Sequence, residues 1–267
     1  MPQPRLSALT IYPIKSCAAL ALTQARVTLR GLEHDRRWLI VDAHSEFCTQ
    51  RKFPHLALVQ PCLDGNRLVL STPEQSELEL PLVPDSGKPE QVRVWRDTVE
   101  AWQVSDEADQ WISRAVGEES RLVWMPESTF REVDSERSPQ RHPVSFADGF
   151  PLLAISEASL DDLNSRLPEP VPMLRFRPNL VLAETQPYAE DAWRKVRIDT
   201  LSFYGGEPCG RCVLTTVDPA SGTLAGPEPL KTLAAYRKQQ GKVLFGQNWI
   251  PASEGRLEVG MEVVPES

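Results

Sequence analysis

The segment PCGRCVLTTVDP carries Cys209 and Cys212, the one C-x-x-C of the chain, and that spacing admits several chemistries. A thioredoxin-type dithiol needs its nucleophile at a helix N-terminus, where the dipole lowers the thiol pKa. Here VLTTV follows Cys212 at once, and such a β-branched run predicts a strand. A structural zinc needs four ligands; His34, His44, His55 and His142 are not paired at zinc-ligand spacing, and no second C-x-x-C exists. A soft metal centre demands less of the protein, since one thiolate suffices when a cofactor brings the other sulfurs. Arg211 beside Cys212 would favour the thiolate electrostatically. An inert cysteine on a core strand stays open as well, being the commonest fate of a free thiol.

Four further places could hold an anion. YPIKSC puts Lys15 and Ser16 just after a strand that Pro13 ends, a cation and a hydroxyl at a strand-to-loop corner. In HDRRW, strand alternation predicts that Arg36 and Arg37 turn to opposite faces, and an inward arginine requires an anionic partner. FRPNLVL offers Arg177 for bidentate bonding and Asn179 as donor and acceptor, with Pro178 fixing the backbone between them. Ser156 precedes a predicted helix, where hydroxyl, free N–H groups and dipole coincide; a plain N-cap is the other reading. Each also reads as an ordinary surface or capping residue on spacing alone. No P-loop, Rossmann, G-x-S-x-G or H-E-x-x-H pattern occurs, so side-chain catalysis is poorly provided for and an imported cofactor would explain that.

The elements that must position these residues are mostly short strands. LSALTIYPI, ARVTLRG, RWLIVD, EFCTQ, LALVQPCL, RLVLS, ELELPL and VRVW read as strands, with turns at Asp64-Gly65-Asn66, Thr72-Pro73 and Asp85-Ser86-Gly87. SDEADQWISRAVG predicts a helix capped by Ser105 or Asp106 and stopped by Gly117, with Trp111, Ile112, Ala115 and Val116 as its stripe. The strand-like RLVWM follows. Residues 127–143 read as a loop or partly disordered segment, in which Arg131, Arg137 and Arg141 could fold over an anion. SEASLDDLNSRL predicts a second helix with Ala158, Leu160, Leu163 and Leu167 inward, and PLKTLAAYRKQQG a third ending at Gly241. RPNLVLA, VRIDTLSFYG, RCVLTTVDP, LFGQNWIP and GRLEVGMEVV complete the strands. The fold class is mainly β with a few helices (α+β), in two β-rich domains at 1–118 and 119–267.

The chain has 267 residues, 41% of them hydrophobic and 25% charged, which suits an ordinary globular protein with a large core. A net charge of −8 leaves no basic excess to displace counterions, so a nucleic-acid polymer is not an expected partner. The start of the chain lacks a signal-peptide pattern and no apolar run of about 18 residues occurs, so neither export nor membrane insertion is expected. Five cysteines, an odd number, fit reduced thiols and a cytoplasmic location.

YPIKSC, HDRRW, SFADGFPLLAISEASLDDLNSRL, FRPNLVL, PCGRCVLTTVDPASG, EPLKTLAAYR and FGQNWI run in the order seen in MOSC-domain proteins. The chain resembles that family, of the bacterial YcbX and mitochondrial amidoxime-reducing component type, from residue 6 to about 264. The resemblance implies an N-terminal MOSC β-barrel domain, then the MOSC domain, with a molybdenum–molybdopterin cofactor in the cleft between them. It implies Cys212 as the metal ligand and Cys209 as a structural neighbour. Lys15, Ser16, Arg36, Ser156, Arg177, Asn179 and Arg211 would hold pterin and phosphate, with Thr215, Thr216 and Asp218 at the metal end, Asp218 as a catalytic residue. The implied activity is reduction of small N-hydroxylated compounds (hydroxylamines, amidoximes, N-hydroxylated bases) to amines, a detoxifying oxidoreductase. The C-terminal ferredoxin domain of longer YcbX-type proteins has no counterpart after Cys212, so no built-in iron–sulfur cluster is expected. A separate flavin or iron–sulfur reductase would then donate electrons, and a monomer is the default state. A non-catalytic cofactor or sulfur carrier and a metal-free dithiol protein are the competing readings.

Overall fold

The strand Trp38–Asp42 is buried along nearly its whole length, because both its faces are covered. In the computed structural model, which describes residues 3–84, 87–133 and 140–266, alternation turns Trp38 and Ile40 into one core and Leu39 and Val41 into another. The strand Leu152–Ser156 does the same, sending Leu152 and Ala154 one way and Leu153 and Ile155 the other. These two strands belong to the two main sheets.

The larger sheet runs Leu20–Leu22, Arg5–Ile11, Leu180–Ala183, Leu152–Ser156, Lys242–Pro251, Leu201–Arg211, Lys195–Ile198, Val263–Glu266, with Lys238–Gln239 paired to Lys242–Pro251. The second runs Trp38–Asp42, Ser120–Trp124, Asp97–Gln103, Pro89–Val94. Strands from either side of residue 118 pair with one another in both. Arg5–Ile11 is antiparallel to Leu180–Ala183, and Trp38–Asp42 is antiparallel to Ser120–Trp124. The mainly-β expectation is met.

Among the described residues there are three α-helices: α1 (Asp106–Val116), α2 (Glu157–Asn164) and α3 (Leu230–Tyr236). Ser105 caps α1 by accepting from the Ala108 N–H, and Gly117 ends it at φ +84°; Ala108, Trp111, Ile112 and Val116 face inward. No helix among the described residues is long and apolar enough to cross a membrane.

Four expectations change. EFCTQ makes only isolated bridges, Val41 to Phe47 and Glu46 to Arg93. LALVQPCL opens within the 3-10 turn Pro54–Leu58, and its strand begins at Gln60. The third helix stops at Tyr236: Gln240 and Gly241, at φ +47° and +79°, form a two-residue hairpin turn joining Lys238–Gln239 to the next strand. Gly241 therefore turns a hairpin where a helix stop was expected. The run after Cys212 is not a strand but the single 3-10 turn Val213–Thr216. Asp85 and Ser86 of one expected turn, and Arg137, lie outside the described residues.

Candidate functional site

A cleft opens where the segments flanking several buried strands converge. Lys15 and Ser16 follow the Arg5–Ile11 strand, and Arg36 precedes Trp38–Asp42. Arg177 caps the 3-10 turn Met173–Phe176 and Asn179 leads into Leu180–Ala183. Cys209, Arg211 and Cys212 come at the end of Leu201–Arg211, and Asp148 and Phe150 precede Leu152–Ser156. Ser16, Arg36 and Arg177 sit in the left-handed region, at φ +69°, +49° and +55°. Non-glycine residues there store roughly 1–3 kcal/mol each, and such strain gathers at ligand sites.

Five cations line the cleft (Lys15, Arg36, Arg51, Arg177, Arg211), against one acid, Asp148. A chain of net charge −8 has concentrated positive charge at one place. Arg36 and Arg177 lie 4.4 and 4.1 Å from the Tyr12 ring centre. Burial pushes the Tyr12 hydroxyl up to about 12, and burial, helped by neighbouring Arg36, brings Arg177 down to about 10. Nη2 of Arg177 and Nε of Arg211 are buried without a hydrogen-bond partner. Buried guanidinium N–H groups left unpaired are costly, so a ligand that accepts from them is favoured. Lys15 donates to Phe146 O at 2.7 Å and to Asp148 Oδ1 at 2.5 Å, and its burial lowers it to about 8. Asp148 is held below the carboxylate range: burial opposes this, but Lys15 and the Trp95 indole N–H outweigh it.

The two cysteines have different guanidinium partners. Arg211 Nη1 lies 3.0 Å from Cys209 Sγ, not Cys212, because residues two apart on a strand share a face. Arg51 Nη2 lies 3.3 Å from Cys212 Sγ. Sequence reasoning paired Arg211 with Cys212 and missed Arg51. Its only local signal was a cation after Thr49-Gln50, and the contact spans 161 positions. Thr215 fixes the Cys212 backbone, its N–H and Oγ1 both donating to Cys212 O.

Of the expected residues, Lys15, Ser16, Arg36, Arg177, Asn179, Arg211, Cys212 and Thr215 line the cleft. Asn179 serves mainly as a strut: Oδ1 accepts from Arg36 and the Leu153 N–H, and Nδ2 donates to Thr10 O. Ser156, Thr216 and Asp218 do not line it. Ser156 is fully buried as the cap of α2, accepting from the Ser159 N–H and bonded to the Ser159 hydroxyl, while Glu190 closes that cluster. Thr216 donates back to Val213 O, and Asp218 caps the following turn by accepting from the Ala220 N–H and Ser221 Oγ. Arg37 turns away from Arg36 to Glu127 and Met125 O, but strand alternation is not the cause: Arg36 sits in a turn at φ +49°, and the strand begins only at Trp38. Arg131 does not face the cleft's cations as an anion clamp; buried, it ties Asp97 to the carbonyls of Ser145, Ala147 and Asp148, and Arg141 pairs with Glu132 at the surface. Thr49, Arg51, Asp148, Phe150 and Asn248 are among the lining residues that were unforeseen.

Among the described residues no three His, Cys, Asp or Glu side chains gather as a metal cluster. A metal at Cys212 would thus take its other ligands from a cofactor. The cation excess and the two orphaned guanidinium nitrogens fit an anionic group such as a phosphorylated pterin.

Residues 3–119 match the family model described as the MOSC N-terminal beta barrel domain, and residues 141–264 match the MOSC domain. Mitochondrial amidoxime-reducing component 1 of Mus musculus is 36% identical, covering 94% of this chain and 79% of that protein. The Homo sapiens protein of the same name is 35% identical, with 94% and 80% covered. The molybdenum cofactor sulfurase of Oryza sativa subsp. japonica is 34% identical over 98% of this chain, which spans only 35% of that longer protein.

Proposed function

We propose that this chain, which belongs to the MOSC-domain family together with the mitochondrial amidoxime-reducing components, is a molybdenum-cofactor-dependent reductase of small N-hydroxylated compounds. The observation that carries the reading is Cys212, a thiol against Arg51 at one end of a cleft whose remaining cations suit a phosphate. Cys212 is the protein's thiolate ligand. When bound, the molybdenum cofactor supplies the two-electron couple and the further sulfur ligands.

The chain's residues then have separable tasks. Arg51 brings its guanidinium to 3.3 Å from the Cys212 sulfur. Arg177 and Arg211 bring N–H groups with no other partner to the anionic part of the cofactor, and Lys15 and Ser16 cover its phosphate. Asn179 positions Arg36, and Thr215 positions the Cys212 backbone. The overall reaction takes R–NHOH, two electrons and two protons to R–NH2 and water. A separate flavin or iron–sulfur protein donates the electrons.

The likeness to a molybdenum cofactor sulfurase favours a second reading, a cofactor or sulfur carrier. One experiment separates the two. The protein is purified from a host that makes the cofactor, molybdenum and pterin are measured, and hydroxylamine reduction is followed with chemical reductant. Molybdenum and turnover together support the reductase, molybdenum without turnover supports the carrier, and absence of both refutes each.

A further inference from the structure

Cys212 is half-buried, but the residue after it, Val213, is 44% exposed. Two more aliphatic side chains are open to solvent beside it, Leu174 at 43% and Leu224 at 55%. One carbonyl ties their segments together. Thr216 O accepts from Arg175 Nη1 at 3.0 Å and from the Ala225 N–H at 2.9 Å. Those bonds join the 3-10 turn Met173–Phe176 and the short strand Thr223–Leu224 to the Val213–Thr216 turn. Leu174, Leu214 and Val217 with Ala57 line a hollow in which Arg175 and Arg177 stand and no carboxylate does. Leu214 and Arg177 line the cationic cleft as well, so the hollow adjoins it, whereas Leu174, Val213 and Leu224 lie outside the cleft lining. A single exposed aliphatic residue means little, but a group of them marks an interaction surface.

The free charges around this patch are positive. α3 packs against the Val213–Thr216 turn, and its Lys231 is exposed. Lys242 is exposed too and runs beside Gly210, where an added Cβ would lie 3.6 Å from the Lys242 Cδ. Neither lysine has an ion-pair partner among the described residues. The acids of the same segments are turned into their own backbone: Asp218 accepts from the Ala220 N–H and Ser221 Oγ, and Glu228 from the Thr232 N–H.

We propose that Leu174, Val213 and Leu224, flanked by Lys231 and Lys242, form the docking face for the electron donor, and that this donor is an acidic flavoprotein. The proposal rests on the reductase reading and adds where, and with what chemistry, the donor meets the chain. A donor must bring its redox group close to the metal ligand, and here the outer surface reaches the residue next to Cys212 while the cleft stays free for substrate. Electron-transfer encounters are small and weak, with an apolar centre and a charged rim that steers the approach. Reduction of R–NHOH to R–NH2 and water consumes two electrons. One flavin hydroquinone carries both and leaves as oxidised flavin after a single docking, and the two protons exchange with water.

Calorimetric titration of the full chain with purified flavodoxin, an acidic FMN protein, needs no molybdenum. Wild-type protein is expected to bind it, more weakly as salt rises. Leu174→Glu and Leu224→Glu each raise the Kd at least about tenfold, and Lys242→Glu about threefold. Thermal midpoint and turnover with chemical reductant stay as in wild type, since none of the three lines the cleft. In loaded protein the KM for reduced flavodoxin rises in step with the Kd. No binding by wild type, or equal Kd in all variants, overturns the docking face. A plant-type ferredoxin binding through these residues where flavodoxin does not overturns the flavin assignment, and self-association lost in Leu174→Glu without flavodoxin binding gives the face to a second copy instead. If loaded wild-type protein reduces no hydroxylamine with chemical reductant while flavodoxin binding still depends on Leu174 and Leu224, the face stands and the reductase reading falls.

Discussion

Cys209 and Cys212 stand three residues apart and each has a guanidinium against its sulfur, yet the two pairs are built differently. Cys209 meets Arg211, two residues along the same strand, a contact that alternation makes available wherever that strand forms. Cys212 has left the strand, caps a single 3-10 turn, and meets Arg51 from a segment 161 positions earlier. The local pair needs only a strand. The distant one exists only when both sheets have been assembled, so the thiol, its charge partner and the cofactor cradle form together.

The largest expected effect separates these two pairs. Cys212→Ser loses bound molybdenum and N-hydroxyl reduction by at least about 100-fold, whereas Cys209→Ser keeps both within about threefold, since a ligand and a neighbour to the ligand differ by that order. Molybdenum content per chain and turnover with chemical reductant check it; equal losses would revive a dithiol mechanism. Next, Arg51→Leu removes the guanidinium beside Cys212 and lowers molybdenum retention about 10-fold, and Arg211→Leu weakens pterin retention while leaving the metal-to-pterin ratio unchanged. Retention after dialysis, measured for metal and pterin separately, distinguishes them.

A smaller effect concerns Lys15, the cradle cation whose burial lowers it to about 8 from 10.5. Below about 8 it is charged in the folded chain. Between about 8 and 10.5 the folded protein has released the proton and the unfolded chain still holds it. Stability contributed by this group therefore rises with pH across that window, while attraction for an anion falls. Affinity for inorganic pyrophosphate is expected to drop about tenfold between pH 7 and 9.5, beyond the change in Lys15→Gln, by loss of one close charge. The smallest effect is Ser156→Ala. It costs about 1 kcal/mol, read from a denaturant midpoint, and leaves molybdenum content unchanged, because the hydroxyl caps α2 outside the cleft.

Much of the scaffold was legible in local pattern. Ser105 and Gly117 mark α1 because capping is set within one turn, and WLIVD reads as a strand because its β-branched and aromatic run is covered on both faces. Local pattern failed where a short run had two competing uses. VLTTV has strand propensity but follows a cysteine at which the strand ends, and RKQQG could stop a helix or turn a hairpin. In the site, Lys15, Ser16, Arg36, Arg177, Asn179 and Cys212 were candidates on residue chemistry, but spacing alone left surface or core roles equally open, and only the motif resemblance favoured a site. Arg51 and Asp148 carried no motif and became visible only through distance.

By itself, the sequence determined the mainly-β class, the positions of α1 and of the α2 cap, the scarcity of side-chain catalysts, and the family through its ordered motifs. These are properties of neighbours along the chain, where propensity, capping and alternation act over a few residues. Only the tertiary structure decided which cations share a cleft, which arginine faces which cysteine, and that one acid, Asp148, stands among those cations. Those depend on segments brought together by the antiparallel pairing of Arg5–Ile11 with Leu180–Ala183 and of Trp38–Asp42 with Ser120–Trp124. A side chain's partners across such a sheet are set by register and by the turns beyond it, and neither is written in the residues next to it.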